Sequence, residues 1–394
     1  MVFISRNLSK IEFSVVSAVT ALGIMFLSFA AVIPSIYVLV LNDFSLNEDE
    51  RKENSDKLSS LIVIVSCCIL SGALAFSTDL ANFLKINSST PIVIYSFCLF
   101  FSLLLQISIG YGMGSHKYKS IQFQGLVLSI SKFFLVMFFF FLLKPSVNSV
   151  LVSEGIATVV SMVVLLLVLK RWFKIKDISL INISSLKKYA LGSLPISLNF
   201  MLTGILITGD IVLAKHLFEP SLAGEYAVGA NLAKIAYFVS GALSAVMYAM
   251  VTKSLNEGDS GVSLVVSSAT IASLAGGVIV VLSYLYPDDI IKFLFGVRYL
   301  PAANVFNILS ISMTVLSVNT IFFNYFLAKK EYMYLKILFL ILVFLAANVF
   351  LSRDMLPIDL AYAVLKAMVL MLFVNVLLLY RVAIKGYIKG FFVR

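Results

Sequence analysis

Two charged side chains stand where this sequence can least accommodate them. Asp210 lies in the apolar run that begins at Tyr189, and Lys234 lies in the next run, past the polar link Glu219–Tyr226. A charged side chain at the centre of a membrane helix costs about 2.5–3.5 kcal/mol, so each position needs a compensating function or partner. At 100° per residue, Gly192, Pro195, Asn199, Thr203 and Asp210 fall within roughly 80° of one another on a helix. The rest of that circumference is mostly Leu, Ile, Met, Phe and Val. Lipid cannot satisfy such a polar stripe, which should face a cavity or another helix. For Asn199 and Thr203, ordinary interhelical hydrogen bonding is the competing reading. Pro195 frees a carbonyl one turn earlier and is expected to kink the helix. Asp210 should lie about 10 Å from one end of its helix, and Lys234 about 15 Å down its antiparallel neighbour, by the rise per residue. A lysine stem spans that difference, so the two can form an ion pair. A permanent pair would be structural, whereas one that opens when a substrate or proton arrives would be a coupling element.

Lys132 and Lys366 also sit inside apolar runs, and Lys366 shares a helical face with Tyr362 and Asp359. With Lys234, these lysines could build a cationic interior that attracts a phosphate or pyrophosphate group, since concave low-dielectric walls focus charge. Snorkelling of the lysines to the membrane interface is the alternative. Cys67, Cys68 and Cys98 lie in apolar segments, and His116 and His216 are isolated. There is therefore no metal-ligand spacing. A Gly-rich nucleotide loop is absent too. No metal and no cofactor are expected, and direct ATP drive is not supported.

The elements that position these residues must be membrane helices. The chain is 61% hydrophobic and 13% charged, with a mean hydropathy of +1.03. A soluble domain is about half apolar and a quarter charged. Continuous apolar runs of about 20 residues each suit helices that cross the bilayer and argue against a β-barrel. Eleven spans are predicted, at 14–38, 58–80, 91–112, 125–143, 150–169, 190–216, 225–251, 262–286, 303–327, 333–352 and 357–380. Residues 42–57 are highly charged without apolar periodicity and are expected to be a solvated loop. Glu154 is expected to reach the headgroups, and Gly110, Gly112 and Gly114 to form a turn or hinge. The net charge of +10 comes largely from Lys and Arg in short loops. Their bias to one side places the C-terminus in the cytoplasm, in a multi-pass protein of the cytoplasmic membrane. It also accounts for the basic balance without nucleic acid.

Two halves of the sequence correspond at an offset of about 210 residues, which is a signature of an internal repeat. Asp79-Leu-Ala-Asn-Phe83-Leu84, followed by Pro91 and Leu99, matches Asp289-Ile-Ile-Lys-Phe293-Leu294, followed by Pro301 and Leu309. Six spans separate the copies, so the repeat is parallel, an arrangement that transporters use to set a site between two rocking halves. The expected organisation is an N-terminal lobe of five spans (1–169), a basic cytoplasmic linker (170–188) and a C-terminal lobe of six spans (189–394). Span 14–38 corresponds to 225–251, so the first-half counterpart of 190–216 is missing from a twelve-helix pattern.

The C-terminal half resembles the oligosaccharide flippases of polysaccharide biosynthesis, within the multidrug/oligosaccharidyl-lipid/polysaccharide exporter superfamily. Leu194-Pro195 followed by Asp210 carries part of the resemblance. So does Ala223-Gly224-Glu225-Tyr226, which opens a helix ending Ala242-Leu243-Ser244-Ala245-Val246-Met247. The third piece is Phe293-Leu294-Phe295-Gly296-Val297-Arg298-Tyr299, with Ala302 and Ala303 after it. A proline frequent in the family near Met247 or Tyr248 is not present. The resemblance implies two six-helix lobes around a central cavity, and movement of a polyprenyl-(pyro)phosphate-linked glycan across the membrane by alternating access without nucleotide hydrolysis. Membrane lipid and glycan-assembly enzymes are the implied partners, and no oligomeric state follows. A small-molecule or drug exporter of the same superfamily is the alternative. A membrane glycosyltransferase or polysaccharide polymerase is an alternative of another class, but such enzymes usually need a large external loop with paired acids. Here Asp288-Asp289 are the only adjacent external acids, in a short segment.

Overall fold

The computed structural model describes the chain apart from residues 143, 171–182, 258–259, 353 and 393–394. For residues 183–186, 240, 242–246, 248–249, 256 and 382–392 it describes the backbone alone. The described residues are helical with short connections. Among them, ten segments are long and apolar enough to cross a membrane. In order, the helices are α1 (Val2–Asn7), α2 (Lys10–Ala30), α3 (Val32–Leu41), α4 (Glu48–Ala75), α5 (Ser77–Phe83), α6 (Thr90–Gly114), α7 (Tyr118–Leu142) and α8 (Val147–Leu169). They continue as α9 (Ile183–Leu217), α10 (Pro220–Asn256), α11 (Val262–Leu285), α12 (Pro287–Leu294), α13 (Ala303–Ala328), α14 (Met333–Leu351) and α15 (Pro357–Phe392). The eleventh expected span, 225–251, lies within α10, where several side chains are not described. The protein is an all-α polytopic membrane protein.

Local sequence explains many of these boundaries. The Ser9 hydroxyl accepts from the Glu12 N–H at 3.2 Å, and the Glu12 carboxylate accepts from the Ser9 N–H at 2.9 Å, a reciprocal cap that starts α2. Pro91, Pro220 and Pro287 occupy first turns, where the missing N–H would have had no helical partner. Residues 48–57, expected as loop, instead form the first turns of α4. Three acids at its start complement the helix dipole, and ion pairs Glu48–Lys52 (2.7 Å) and Glu53–Lys57 (2.9 Å) join successive turns. The charged stretch is thus a helix continuing past the apolar run. The expected basic linker falls mainly on residues 171–182, outside those described.

Contacts divide the chain into two compact units, Asn7–Gly204 and Met1–Arg6 with Ile205–Arg394. The same pattern of neighbours recurs in each. In the first unit α6 packs against α3, α4 and α8, and α7 packs against α8. In the second, α13 packs against α10, α11 and α15, and α14 packs against α15. The matched sequences Asp79–Leu84 and Asp289–Leu294 fall at α5 and α12, short helices that precede the central helices α6 and α13. The repeat in sequence is therefore matched by a repeat of packing inside each unit. Helix α9 has no counterpart among the described residues of the first unit. Its residues up to Gly204 belong to that unit, and those from Ile205 belong to the second.

Glycines set the approach of α6 to α3. A Cβ at Gly110 would meet the Tyr37 ring and lie 3.0 Å from Pro34 Cα, and one at Gly114 would lie 2.9 Å from the Tyr37 carbonyl. These glycines are inside α6 rather than in a turn, and they permit close packing of the kind small residues give membrane helices. At the end of α3, Asp43 accepts hydrogen bonds from the Ser45 hydroxyl (2.5 Å), the Tyr189 hydroxyl (2.8 Å), the Ser45 N–H (3.1 Å) and the Lys188 ammonium (3.1 Å). These bonds, Ser45 foremost, hold its carboxyl well below the usual carboxylate range.

Two outcomes are expected. Gly110→Val should lower thermal stability in detergent by about 1–3 kcal/mol through overpacking against α3, whereas Gly125→Val, at a position with open space, should not. The Asp43 tie should be at full strength above the ordinary carboxyl value of about 3.9 and be lost only as pH falls through its lower folded value. Amide protection factors at the start of α9 should accordingly hold from neutral pH to about 4 and drop below it. Asp43→Asn should lower them at neutral pH.

Candidate functional site

The half of α9 that belongs to the second unit carries Asp210, and α10, which carries Tyr226 and Lys234, is rich in buried small residues. Ala223, Ala227, Ala230, Ala233 and Ala236 are all buried, and Gly229 lies against Val305 and the Phe306 backbone of α13. Close packing seals the charged groups away from solvent and lipid. Asp210 is 3% exposed, Lys234 6% and Tyr226 fully buried. The Tyr226 hydroxyl donates to Asp210 Oδ2 at 3.1 Å. The Tyr226 ring contacts Phe218, at 6.3 Å between centroids, which fixes its direction.

Lys234 lies close enough to interact electrostatically with Asp210, but among the described residues the two form no direct ion pair. The phenol of Tyr226, two turns before Lys234 on α10, takes the position the lysine was expected to fill. Among the described residues, Asp210 Oδ1 is buried with no hydrogen-bond partner. One carboxylate oxygen is thus anchored and the other open, with an ammonium nearby. Such a group can accept a proton or a small cation at Oδ1, or take Lys234 as a partner after a modest side-chain movement.

The other half of α9, in the first unit, carries Pro195, Asn199 and Thr203. Pro195 lies inside the continuous helix, where it removes the bond to the Leu191 carbonyl. Asn199 and Thr203 are 4% and 7% exposed, and Asn199 Oδ1 and Thr203 Oγ1 are buried without partners among the described residues. In the same unit Lys132 of α7 donates to Glu154 of α8 at 2.7 Å. Glu154, expected at the headgroups, pairs with Lys132 between two helices. Its Oε2 remains buried and unpartnered.

Lys366 and Tyr362 are elsewhere in the second unit. Both are exposed, and with Asn348, Ser352, Met355, Asp359 and Ala363 they line an open crevice of about 500 Å³ between α14 and α15. The structure thus brings Asp210 and Lys234 together, separates Lys132 into its own pair, and sets Lys366 in a crevice. Tyr226 is the residue that sequence reasoning did not assign. It closes the Ala223-Gly224-Glu225-Tyr226 motif, and its aromatic ring hid a hydroxyl aimed at the neighbouring helix.

Among solved structures, the chain is similar to an inward-facing multidrug resistance MATE family transporter of the MOP superfamily. The TM-score is 0.79 at 13% identity, over 97% of this chain and 93% of that one. It is similar to the lipid II flippase MurJ in an inward closed conformation, with a TM-score of 0.77 at 11% identity over 100% and 89% of the two chains. It is also similar to the eukaryotic MATE transporter AtDTX14, with a TM-score of 0.61 at 12% identity over 98% and 88%. No family model and no curated protein matches the sequence.

Removing the Tyr226 hydroxyl should leave the Asp210 carboxylate buried with no side-chain donor. Tyr226→Phe is expected to cost about 1–3 kcal/mol of stability, measured by unfolding in detergent. With Asp210→Asn present, the same change should cost less, because the buried acceptor is no longer charged. Equal costs in the two backgrounds would mean that the two groups do not depend on each other.

Proposed function

We propose that this chain, which has the fold of the MATE transporters and MurJ, moves a polyprenyl-(pyro)phosphate-linked oligosaccharide or polysaccharide precursor across the cytoplasmic membrane by alternating access. The observation that carries the reading is Lys234, an ammonium 6% exposed in the second unit with no direct ion pair among the described residues. A buried, unpaired cation is costly in a membrane protein unless an anion visits it. A phosphate or pyrophosphate group supplies that anion. The flipping of lipid II by MurJ is transport of the same chemical kind, and it supports the choice of substrate class.

In this reading Asp210 is the coupling group. Its open Oδ1 takes a proton or small cation, while Tyr226 holds Oδ2. Loading Oδ1 weakens the attraction between Asp210 and Lys234 and leaves the ammonium to the substrate phosphate. Pro195 gives α9 a point of bending. The C-terminus lies in the cytoplasm, and glycan-assembly enzymes supply the substrate.

The second reading, export of small molecules, is favoured by the likeness to a multidrug resistance transporter. Asp210, a buried carboxylate with one oxygen open, would then attract a cationic compound. The two readings separate in proteoliposomes. A fluorescent polyprenyl-pyrophosphate-linked oligosaccharide should cross in the presence of the wild-type protein and be exposed to an external quencher. Lys234→Ala should slow crossing at least tenfold without changing protein insertion, and Asp210→Asn should abolish its dependence on an ion gradient. Uptake of cationic dyes with no movement of the glycolipid would decide for the second reading. Gradient-dependent flipping by Asp210→Asn at the wild-type rate would remove Asp210 from the coupling role.

A further inference from the structure

The crevice between α14 and α15 has a chemistry that its position does not explain. Lys366 is nine residues into α15, about 14 Å from the start of the helix at 1.5 Å per residue. It lies inside the membrane span Pro357–Arg381, yet it is exposed and forms no ion pair among the described residues. The acid on its face, Asp359, is engaged at the helix start, where its Oδ2 accepts the Leu356 N–H at 2.9 Å. Ser352 donates to the Asn348 carbonyl at 2.7 Å and Asn348 donates to the Phe344 carbonyl at 2.9 Å, so both serve their own helix. The Tyr362 hydroxyl, 46% exposed as a residue, has no hydrogen bond among the described residues. Two donors, one of them charged, therefore line an open crevice of about 500 Å³ and form no hydrogen bond to its acceptors, Asp359 included, among the described residues.

Below these donors the same face of α15 becomes wholly apolar. Val369, Phe373 and Leu377 are 49%, 62% and 52% exposed, and Leu340 and Phe344 are exposed on α14. From Lys366 to Leu377 the stripe runs about 16 Å along the helix axis. A polar pocket with an unpaired cation at one end and a long apolar bed at the other is the outline of an amphiphile with an anionic head.

We propose that this crevice binds one anionic membrane phospholipid, with Lys366 and Tyr362 donating to its phosphate and the apolar stripe of α15 carrying an acyl chain. Charge complementarity selects the anionic headgroup. A phosphate seated here neutralises Lys366 within the hydrocarbon, which removes the cost of the unpaired ammonium. The proposal does not rest on the identity of the transported molecule.

The test is native mass spectrometry of the full-length protein released from nanodiscs of equal parts phosphatidylglycerol and phosphatidylcholine. The wild type and Lys366→Arg should retain one phosphatidylglycerol in preference to phosphatidylcholine. Lys366→Ala should lower that retention at least tenfold, and Tyr362→Phe should lower it by a smaller factor. Lys336→Ala, on α14 away from the crevice, should leave it unchanged. No preference of the wild type for phosphatidylglycerol would overturn the proposal without recourse to any variant. So would undiminished retention by Lys366→Ala, or displacement of the lipid by millimolar inorganic phosphate, which would make this a site for the free anion. Because the readout is retained lipid, loss of flipping with intact retention would strike the proposed function alone.

Discussion

In hydrocarbon a polar group must find its partner within the protein, and that constraint shapes nearly every polar side chain in this structure. The usual solution is local. Ser66, Ser96, Ser153, Ser197, Ser310, Ser312 and Thr314 each donate to the carbonyl four residues back, so the helix absorbs its own hydroxyls. Asparagines use a longer-range version. Asn319 on α13 donates to the Met368 carbonyl and accepts from Asn375 on α15 at 2.8 Å, which fixes the register of those helices. Against that background, Asn199 Oδ1, Thr203 Oγ1 and Asp210 Oδ1 stand out because the protein leaves them open on a single helix. Other helices carry such atoms too, Glu154 Oε2 on α8 and Asn375 Oδ1 on α15 among them, but α9 carries three.

Most of the architecture could be read from the sequence because apolar runs of membrane length have few alternatives. The internal repeat could also be read, since the Asp79 and Asp289 segments sit at equivalent short helices whose sequence must turn the chain in the same way. What escaped was decided by side chains rather than by hydropathy. Residues 48–57 looked like loop because charge masks helical period, although the Glu48–Lys52 and Glu53–Lys57 spacings carried the signal. Lys132 and Glu154 are 22 residues apart on different helices, and no local pattern announces that they meet.

The candidate residues show the same division. Asp210, Lys234, Asn199 and Thr203 stand out as candidates because each is polar in an apolar run. Tyr226 could not, because an aromatic residue is at home in such a run and only the geometry shows its hydroxyl on Asp210. The handover of α9 from one unit to the other at Gly204 was equally invisible, because the apolar sequence continues across it without a break. Hydropathy reports the solvent of a segment, and it is silent about the neighbours that the segment keeps.

The order in which the chain is made does not match the order in which it packs. Helix α1 belongs with the second unit. Arg6 donates to the Phe293 and Leu294 carbonyls, and Arg298 donates to the Ser5 carbonyl. Arg6 and Leu294 are 288 residues apart. At synthesis rates of about 5–20 residues per second, the segment around Arg6 leaves the ribosome about 15–60 seconds before its partners around Leu294. The first unit can close in that interval, whereas the second is incomplete until the segments around Arg6 and Leu294 have met.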